Sequence, residues 1–273
     1  MPTRWLKLTI AYDGTNYAGW QVQPDKPTVQ GAIEAAWNEI TQEHVRITAA
    51  GRTDAGVHAL GQVAAITTES RLSDEDLLRA LNAVLPDDVA VLAIQQAPEG
   101  FHATRDAIGK RYRYVIHNGR VPSVFERHYA WHYPQPMDAA AMHAGGQALV
   151  GRHDFSSFET AGSERPDSIR TIWEVTVARH VAEPLASTEL AEVRDSGLVV
   201  SERLPHAADR ITIEVSGDGF LYNMVRTIVG TLVEVGKGGR DVNWPAQVLA
   251  ARDRRQAGQT APPHGLFLVH VDY

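Results

Sequence analysis

The feature that most limits the possible folds is the alternation of short apolar strands with amphipathic helices along the first third of the chain. Trp5 to Tyr12 alternates, with Leu6, Leu8 and Ile10 on one side, and this predicts a half-buried strand. Thr28 is a candidate cap for a helix carrying Ile33, Trp37 and Ile40 at helical spacing. Val45 to Ala50 and Gly61 to Ile66 have the β-branched content of strands. Ser73, followed by Asp76, opens a second helix whose apolar face is Leu77, Leu78, Leu81 and Leu85. Pro86-Asp87-Asp88 ends that helix and Val89 to Ile94 is another strand. The order is βαββαβ, the split arrangement of ferredoxin-like domains.

The second half repeats the order without repeating the sequence. Lys110 to His117 is expected as a strand, Met137 to Val150 as a helix, and Thr171 to Ala178 and Arg210 to Ser216 as strands. A long helix, Phe220 to Gly236, and a last strand, Leu266 to Val271, follow. A further helix is expected before that strand, with Asn243 as cap and Pro245 in its first turn. The expected fold class is α/β (α+β): two ferredoxin-like βαββαβ lobes with mainly antiparallel sheets meeting at a central catalytic cleft. Residues 1–105 would form the first lobe and 106–273 the second, the boundary lying near Pro98 to Ala107. The acidic, irregular stretch 181–209 is expected as a solvated insertion in the second lobe.

Composition bounds the partners. The chain has 273 residues and a formal net charge of −7, which argues against a general nucleic-acid binder. Basic residues are nevertheless segregated, with Arg105, Lys110, Arg111, Arg113, Arg120 and Arg127 opposed only by Asp106 and Glu126. Cysteine is absent, so disulfides and thiolate chemistry are excluded. The first residues lack a signal-peptide core and no run reaches membrane-spanning length, so the cytoplasm is the expected location. Histidine is frequent but shows no ligand spacing, and no phosphate loop or dinucleotide fingerprint is present; neither a metal nor a cofactor is expected.

Three stretches could carry chemistry. In Ala50-Gly51-Arg52-Thr53-Asp54-Ala55-Gly56-Val57-His58-Ala59, Arg52 and Asp54 point the same way on an extended backbone. A carboxylate beside a guanidinium stays ionised, which suits a nucleophile or base. A surface ion pair across a glycine turn, worth about 0 to 1 kcal/mol, is the plainer account on spacing alone. In Lys110 to Asn118, Lys110, Tyr112, Tyr114 and Ile116 share one face and Arg111, Arg113 and Val115 the other. Such a strand fits either an RNA-stacking platform or a core strand with solvated arginines. In the long helix, Leu221, Val225, Ile228 and Leu232 form an apolar stripe, and Arg226 among them is either a snorkelling side chain or half of an ion pair.

The string "GRTDAGVHA", with "GQVA" just after it, resembles the active-site motif of the tRNA pseudouridine synthase A family. "KRYRYVIHN" and "GFLYNMVRTIVGTL" are similar to its second and third motifs, and "YDGTNYAGWQ", "TVQGAIEAA", "FHAT", "HDFSSF" and "GLFLVHVDY" to further segments in the expected order. "FHATRDA" departs, since many members carry arginine where this chain has Thr104, with Arg105 next. The resemblance implies that Asp54 is the essential catalytic group, that Tyr112 stacks on the target base, and that Arg226 forms a salt bridge with Asp54. It also implies that Arg52 contacts RNA and assists base flipping. Lys110, Arg111 and Arg105 join Arg52 and Tyr112 as expected substrate contacts. The implied activity is cofactor-free conversion of uridine to pseudouridine at positions 38 to 40 of the tRNA anticodon stem-loop, by a homodimer. A non-catalytic RNA-binding protein, a hydrolase using Asp54, and a synthase acting on another RNA are the alternatives.

Overall fold

The computed structural model describes residues 3–160, 167–180 and 209–273. Ten strands and five α-helices are found among them: β1 (Arg4–Tyr12), α1 (Val29–Thr41), β2 (Thr48–Ala49), β3 (His58–Thr68), α2 (Asp74–Val84), β4 (Val89–Gln96), β5 (Gly109–His117), β6 (Trp131–His132), α3 (Ala139–Gly146), β7 (Gly151–Asp154), β8 (Ile169–His180), β9 (Arg210–Gly217), α4 (Met224–Gly236), α5 (Trp244–Ala251) and β10 (Leu266–Asp272). The class is mixed α/β with mainly antiparallel strand pairing. Two compact units divide the chain, one of Met1–Arg113, Ser216–Gly219 and Leu266–Tyr273, the other of Tyr114–Val215 and Phe220–Gly265.

In the first unit the strand order is β4-β1-β3-β10, with β2 beside β3. Leu6, Leu8 and Ile10 are fully buried on alternate positions of β1, as the sequence alternation requires. β1 pairs antiparallel with β3, Leu8 opposite Ala64, and with β4, Leu8 opposite Ile94. Both helices are capped where expected. Thr28 Oγ1 accepts from the Gly31 N–H at 3.3 Å, and Ser73 Oγ accepts from the Asp76 N–H at 3.1 Å. On α1, Ile33 and Trp37 are fully buried, worth about 1.5 to 3 kcal/mol each, whereas Ile40 is only partly covered.

Two departures in this unit have local causes. The expected strand Val45 to Ala50 shrinks to β2, because α1 takes over the backbone of Ile47. Its N–H donates to Glu34 Oε1 at 2.9 Å and its carbonyl accepts from Gln30 Nε2 at 3.2 Å, leaving neither for a ladder. The closing strand β10, read from the sequence with the second lobe, runs parallel to β3 in the first unit, Phe267 opposite His58 and Leu268 opposite Ala59.

The second unit holds the strand order β5-β9-β8-β7, with β6 parallel to the end of β5. The helix expected from Met137 to Val150 is α3 followed by a 3-10 turn, Gln147–Leu149, with the Asp138 side chain accepting from the Ala141 N–H at 2.9 Å. The long helix α4 begins at Met224 rather than Phe220, because Asn223 sits at φ +60°, outside the right-handed helical region. Its apolar surface is wider than one stripe: nearly all of its residues are buried, Arg226 and Glu234 being half-buried exceptions. Pro245 lies in the first turn of α5 as expected, but the Asn243 side chain makes no capping bond. The acidic stretch 181–209 lies, apart from Asp209, outside the described residues. Among the described residues no helix is long and apolar enough to cross a membrane.

Candidate active site

The Asp54 loop joins β2 to β3, as the strand-like residues on either side of it predicted. Along it Arg52 is exposed, Thr53 buried and Asp54 half-buried, the alternation of an extended backbone that turns Arg52 and Asp54 outward and Thr53 inward. Little regular structure holds this segment. Its carbonyls are instead captured, nearly one after another, by other parts of the first unit.

The Thr104 hydroxyl donates to the Ala49 carbonyl at 2.6 Å, and Lys110 Nζ to the Ala50 carbonyl at 2.8 Å. Gln62 Nε2 donates to the Gly51 carbonyl at 2.8 Å, and the Trp20 N–H to the Thr53 carbonyl at 3.0 Å. The Val57 N–H closes the turn on the Asp54 carbonyl at 3.1 Å. Behind the loop the Tyr12 hydroxyl and Thr53 Oγ1 are 2.7 Å apart, both residues being buried. Burial pushes the Tyr12 phenol up to about 12, with hydrogen bonds from Thr53 and Gln62 pulling it back, so it is neutral at physiological pH.

The turn between β1 and α1 is the other wall of the loop. Gly19 has φ +104°, and a Cβ there would stand 2.7 Å from the Thr53 carbonyl oxygen, so only glycine lets the two backbones meet. Tyr12 and Trp20 pack with ring centroids 5.9 Å apart. At the far end His58 is buried and stacks on Phe267 at 4.8 Å. Its Nδ1 lies 3.0 Å from the Gly14 N–H, which donates to it, and 3.1 Å from Asp13 Oδ1.

The other expected residues are placed as follows. Lys110 and Tyr112 share a face of β5. Because Lys110 reaches the Ala50 carbonyl, that face is turned to the loop's side of the first unit. Tyr112 is buried, Arg111 exposed and Arg113 intermediate. Arg105 is engaged in its own turn, with Nε on Asp106 Oδ1 at 2.8 Å and Nη2 on the Gly100 carbonyl at 2.8 Å. Arg105 in turn holds the Asp106 carboxyl below its usual range.

Arg226 belongs to the second unit, near the start of α4. Nε donates to the Ala261 carbonyl at 2.7 Å and Nη1 to Asn223 Oδ1 at 2.7 Å. The Tyr114 hydroxyl donates to the next carbonyl, that of Pro262, at 2.8 Å. Burial drives the Tyr114 phenol well above its ordinary value, and the Arg226 charge draws it back. Sequence reasoning missed Tyr12, Thr53, Gln62 and Trp20 as parts of the site. The available signal was the alternation itself, which sends Thr53 to the face opposite Arg52 and Asp54. Among the described residues no group of three or more histidine or acidic side chains could hold a metal ion.

Residues 8–104 and 146–273 match a family model described as tRNA pseudouridine synthase. Proteins named tRNA pseudouridine synthase A from Moorella thermoacetica and Acetivibrio thermocellus are similar, 46% identical over 98% of this chain and 99% of the relative, and 42% identical over 99% and 100%. A third, from Geobacillus sp. WCH70, is 40% identical over 98% of both. A match of this length and identity makes the chain a member of the tRNA pseudouridine synthase family.

Proposed function

We propose that this isomerase converts uridine to pseudouridine in the anticodon stem-loop of tRNA, at positions 38 to 40, with Asp54 as the essential group. The observation that carries this reading is the bond from Lys110 to the Ala50 carbonyl, which sets the face of β5 bearing Tyr112 beside the loop bearing Asp54. A stacking ring and an outward carboxylate on one pinned scaffold suit chemistry on a base taken out of its stack.

The reaction breaks the bond from uracil N1 to ribose C1′, rotates the freed base and rejoins it through C5. No atom enters or leaves overall, since the proton lost from C5 is balanced by the one gained at N1. Extruding the base costs roughly a few kcal/mol, offset by stacking on Tyr112 and contacts to the polar edge. Asp54 acts as the carboxylate, and the family resemblance assigns Arg226 as its counter-charge. The Tyr112 hydroxyl is the proposed acceptor of the C5 proton. Arg52, exposed on the loop, is the proposed phosphate contact, with Lys110 and Arg111 adding positive charge along β5. The resemblance extends to a cytoplasmic homodimer that recognises tRNA by shape.

The test is tritium release from C5-labelled uridine in an unmodified anticodon stem-loop, with RNA binding measured in parallel. Wild type releases label, whereas Asp54→Asn loses on the order of a thousandfold in rate and still binds RNA. Equal binding with no release from either protein would overturn catalysis on this substrate. Free uracil among the products would point to a hydrolase instead.

A further inference from the structure

The buried hydroxyl pair behind the loop has a cost that fold stability does not require. Tyr12, Thr53 and Gln62 are 5%, 7% and 0% exposed, and each brings a polar group into the interior of the first unit. Phenylalanine and valine at positions 12 and 53 would fill nearly the same volume without a hydrogen bond to satisfy. Replacing both partners of a buried hydrogen bond by apolar groups of the same shape is often close to neutral for stability. What the polar version adds is direction.

A peptide unit is planar, so capturing its carbonyl fixes the plane. The unit between Thr53 and Asp54 is captured through the Thr53 carbonyl by the Trp20 N–H, and the unit between Asp54 and Ala55 through the Asp54 carbonyl by the Val57 N–H. These two planes meet at the Asp54 Cα and set the direction of its Cα–Cβ bond. The first plane would still be free to rock about the Thr53 side chain, were that side chain not itself held by the Tyr12 hydroxyl at 2.7 Å. Gln62 completes the hold two residues earlier, on the Gly51 carbonyl.

We infer that Tyr12, Thr53 and Gln62 are positioning residues for Asp54, a buried polar clamp that aims its carboxylate at the reacting nucleotide. The inference rests on the proposed role of Asp54. Its consequence is that breaking the clamp slows chemistry while leaving RNA affinity nearly unchanged, since all three side chains are buried.

The experiment compares Tyr12→Phe, Thr53→Val, the double variant, Thr53→Ser and Asp54→Asn in single-turnover rate, stem-loop affinity and melting temperature. Tyr12→Phe and Thr53→Val are expected to lose about ten- to a hundredfold in rate, the scale of a slightly misplaced catalytic group, with affinity within about twofold. The double variant should lose no more than the worse single, because the Tyr12–Thr53 bond that Thr53→Val removes is already lost in Tyr12→Phe. It also leaves no orphaned hydroxyl, so it folds even where a single variant does not. Thr53→Ser, which keeps the hydroxyl, should recover most of the rate. A folded double variant reacting within about twofold of wild type overturns the inference, as does a Thr53→Ser variant as slow as Thr53→Val. Asp54→Asn separates the two readings. If it is inactive while the double variant is fully active, only the clamp fails; if it is itself active, the role proposed for Asp54 fails.

Discussion

The loop that carries Asp54 and the helix start that carries Arg226 solve the same problem in opposite ways. Arg226 is placed by regular structure: α4 is buried on nearly every side, and the guanidinium is held by Asn223 three residues before it and by the Ala261 carbonyl. Asp54 stands on a segment with no ladder of its own, held through its carbonyls by Thr104, Lys110, Gln62 and Trp20 from four separate stretches of the first unit. A helix can place a side chain by itself, to within its rotamers. A loop can do so only if its backbone polar groups are all spoken for, because each unfixed peptide adds two soft dihedrals. The difference teaches that the carboxylate depends on a tertiary network and the arginine on a packed helix, so the two should fail differently.

The largest expected effect comes from breaking the helix side. A Cβ at Gly230 would lie 1.7 Å from the Gln259 carbonyl oxygen, so Gly230→Ala must drive the segment leading to Ala261 off α4. It should cost about 1 to 3 kcal/mol or more in a urea titration, the usual penalty of overpacking. Activity should fall only in proportion to the folded fraction if Arg226 keeps its Asn223 contact.

On the loop side the sign of the imbalance reverses. Lys110→Met keeps the length of the side chain and leaves the Ala50 carbonyl without its donor, at a stability cost of about 1 kcal/mol. The reaction rate should nevertheless fall about tenfold, more than the stability loss explains, because the loop loses one of its holds. A rate loss no larger than the unfolded fraction would show that the loop is placed without Lys110.

The smallest effect is confined to high pH and bears on both regions at once. Tyr12 behind the loop and Tyr114 beside Arg226 both have phenols raised above 10.0, the former to about 12, with burial as the main cause. A raised folded-state value means that stability is fully present below pH 10 and is lost as pH rises through the folded values. Unfolding followed between about pH 9 and 12 should therefore show no change below 10 and a decline above it. Tyr12→Phe should remove the part of that decline that belongs to the loop. A flat profile up to pH 12 would mean that these hydroxyls are less deeply held than their surroundings imply.

Much of the framework was legible in the residues. The alternation of Leu6, Leu8 and Ile10, the caps at Thr28 and Ser73, and the position of Asp54 on a loop between strands follow from local rules of spacing and hydrogen bonding. The alternation in β5 put Tyr112, Tyr114 and Ile116 on one face but left open whether that face is a stacking platform or core; the structure shows all three residues buried. Three things were not legible. Ile47 loses its strand because Glu34 and Gln30 on α1 take its backbone. α4 starts late because Asn223 adopts φ +60°, a choice that its Thr160 and Arg226 contacts support and no local pattern signals. β10 pairs with β3, more than a hundred and ninety residues earlier in the chain, and composition says nothing about which unit receives a last strand.

The sequence by itself determined which positions along each element share a face and where helices begin with a side-chain cap, because those depend on neighbours within a few positions along the chain; the string around Asp54 stood out through its family resemblance. Only the tertiary structure decided how Asp54 is held. A carbonyl accepts from whichever donor folding brings within about 3 Å. The donors used here, at positions 20, 62, 104 and 110, are set by the packing of β1, β3 and β5 and their connecting turns.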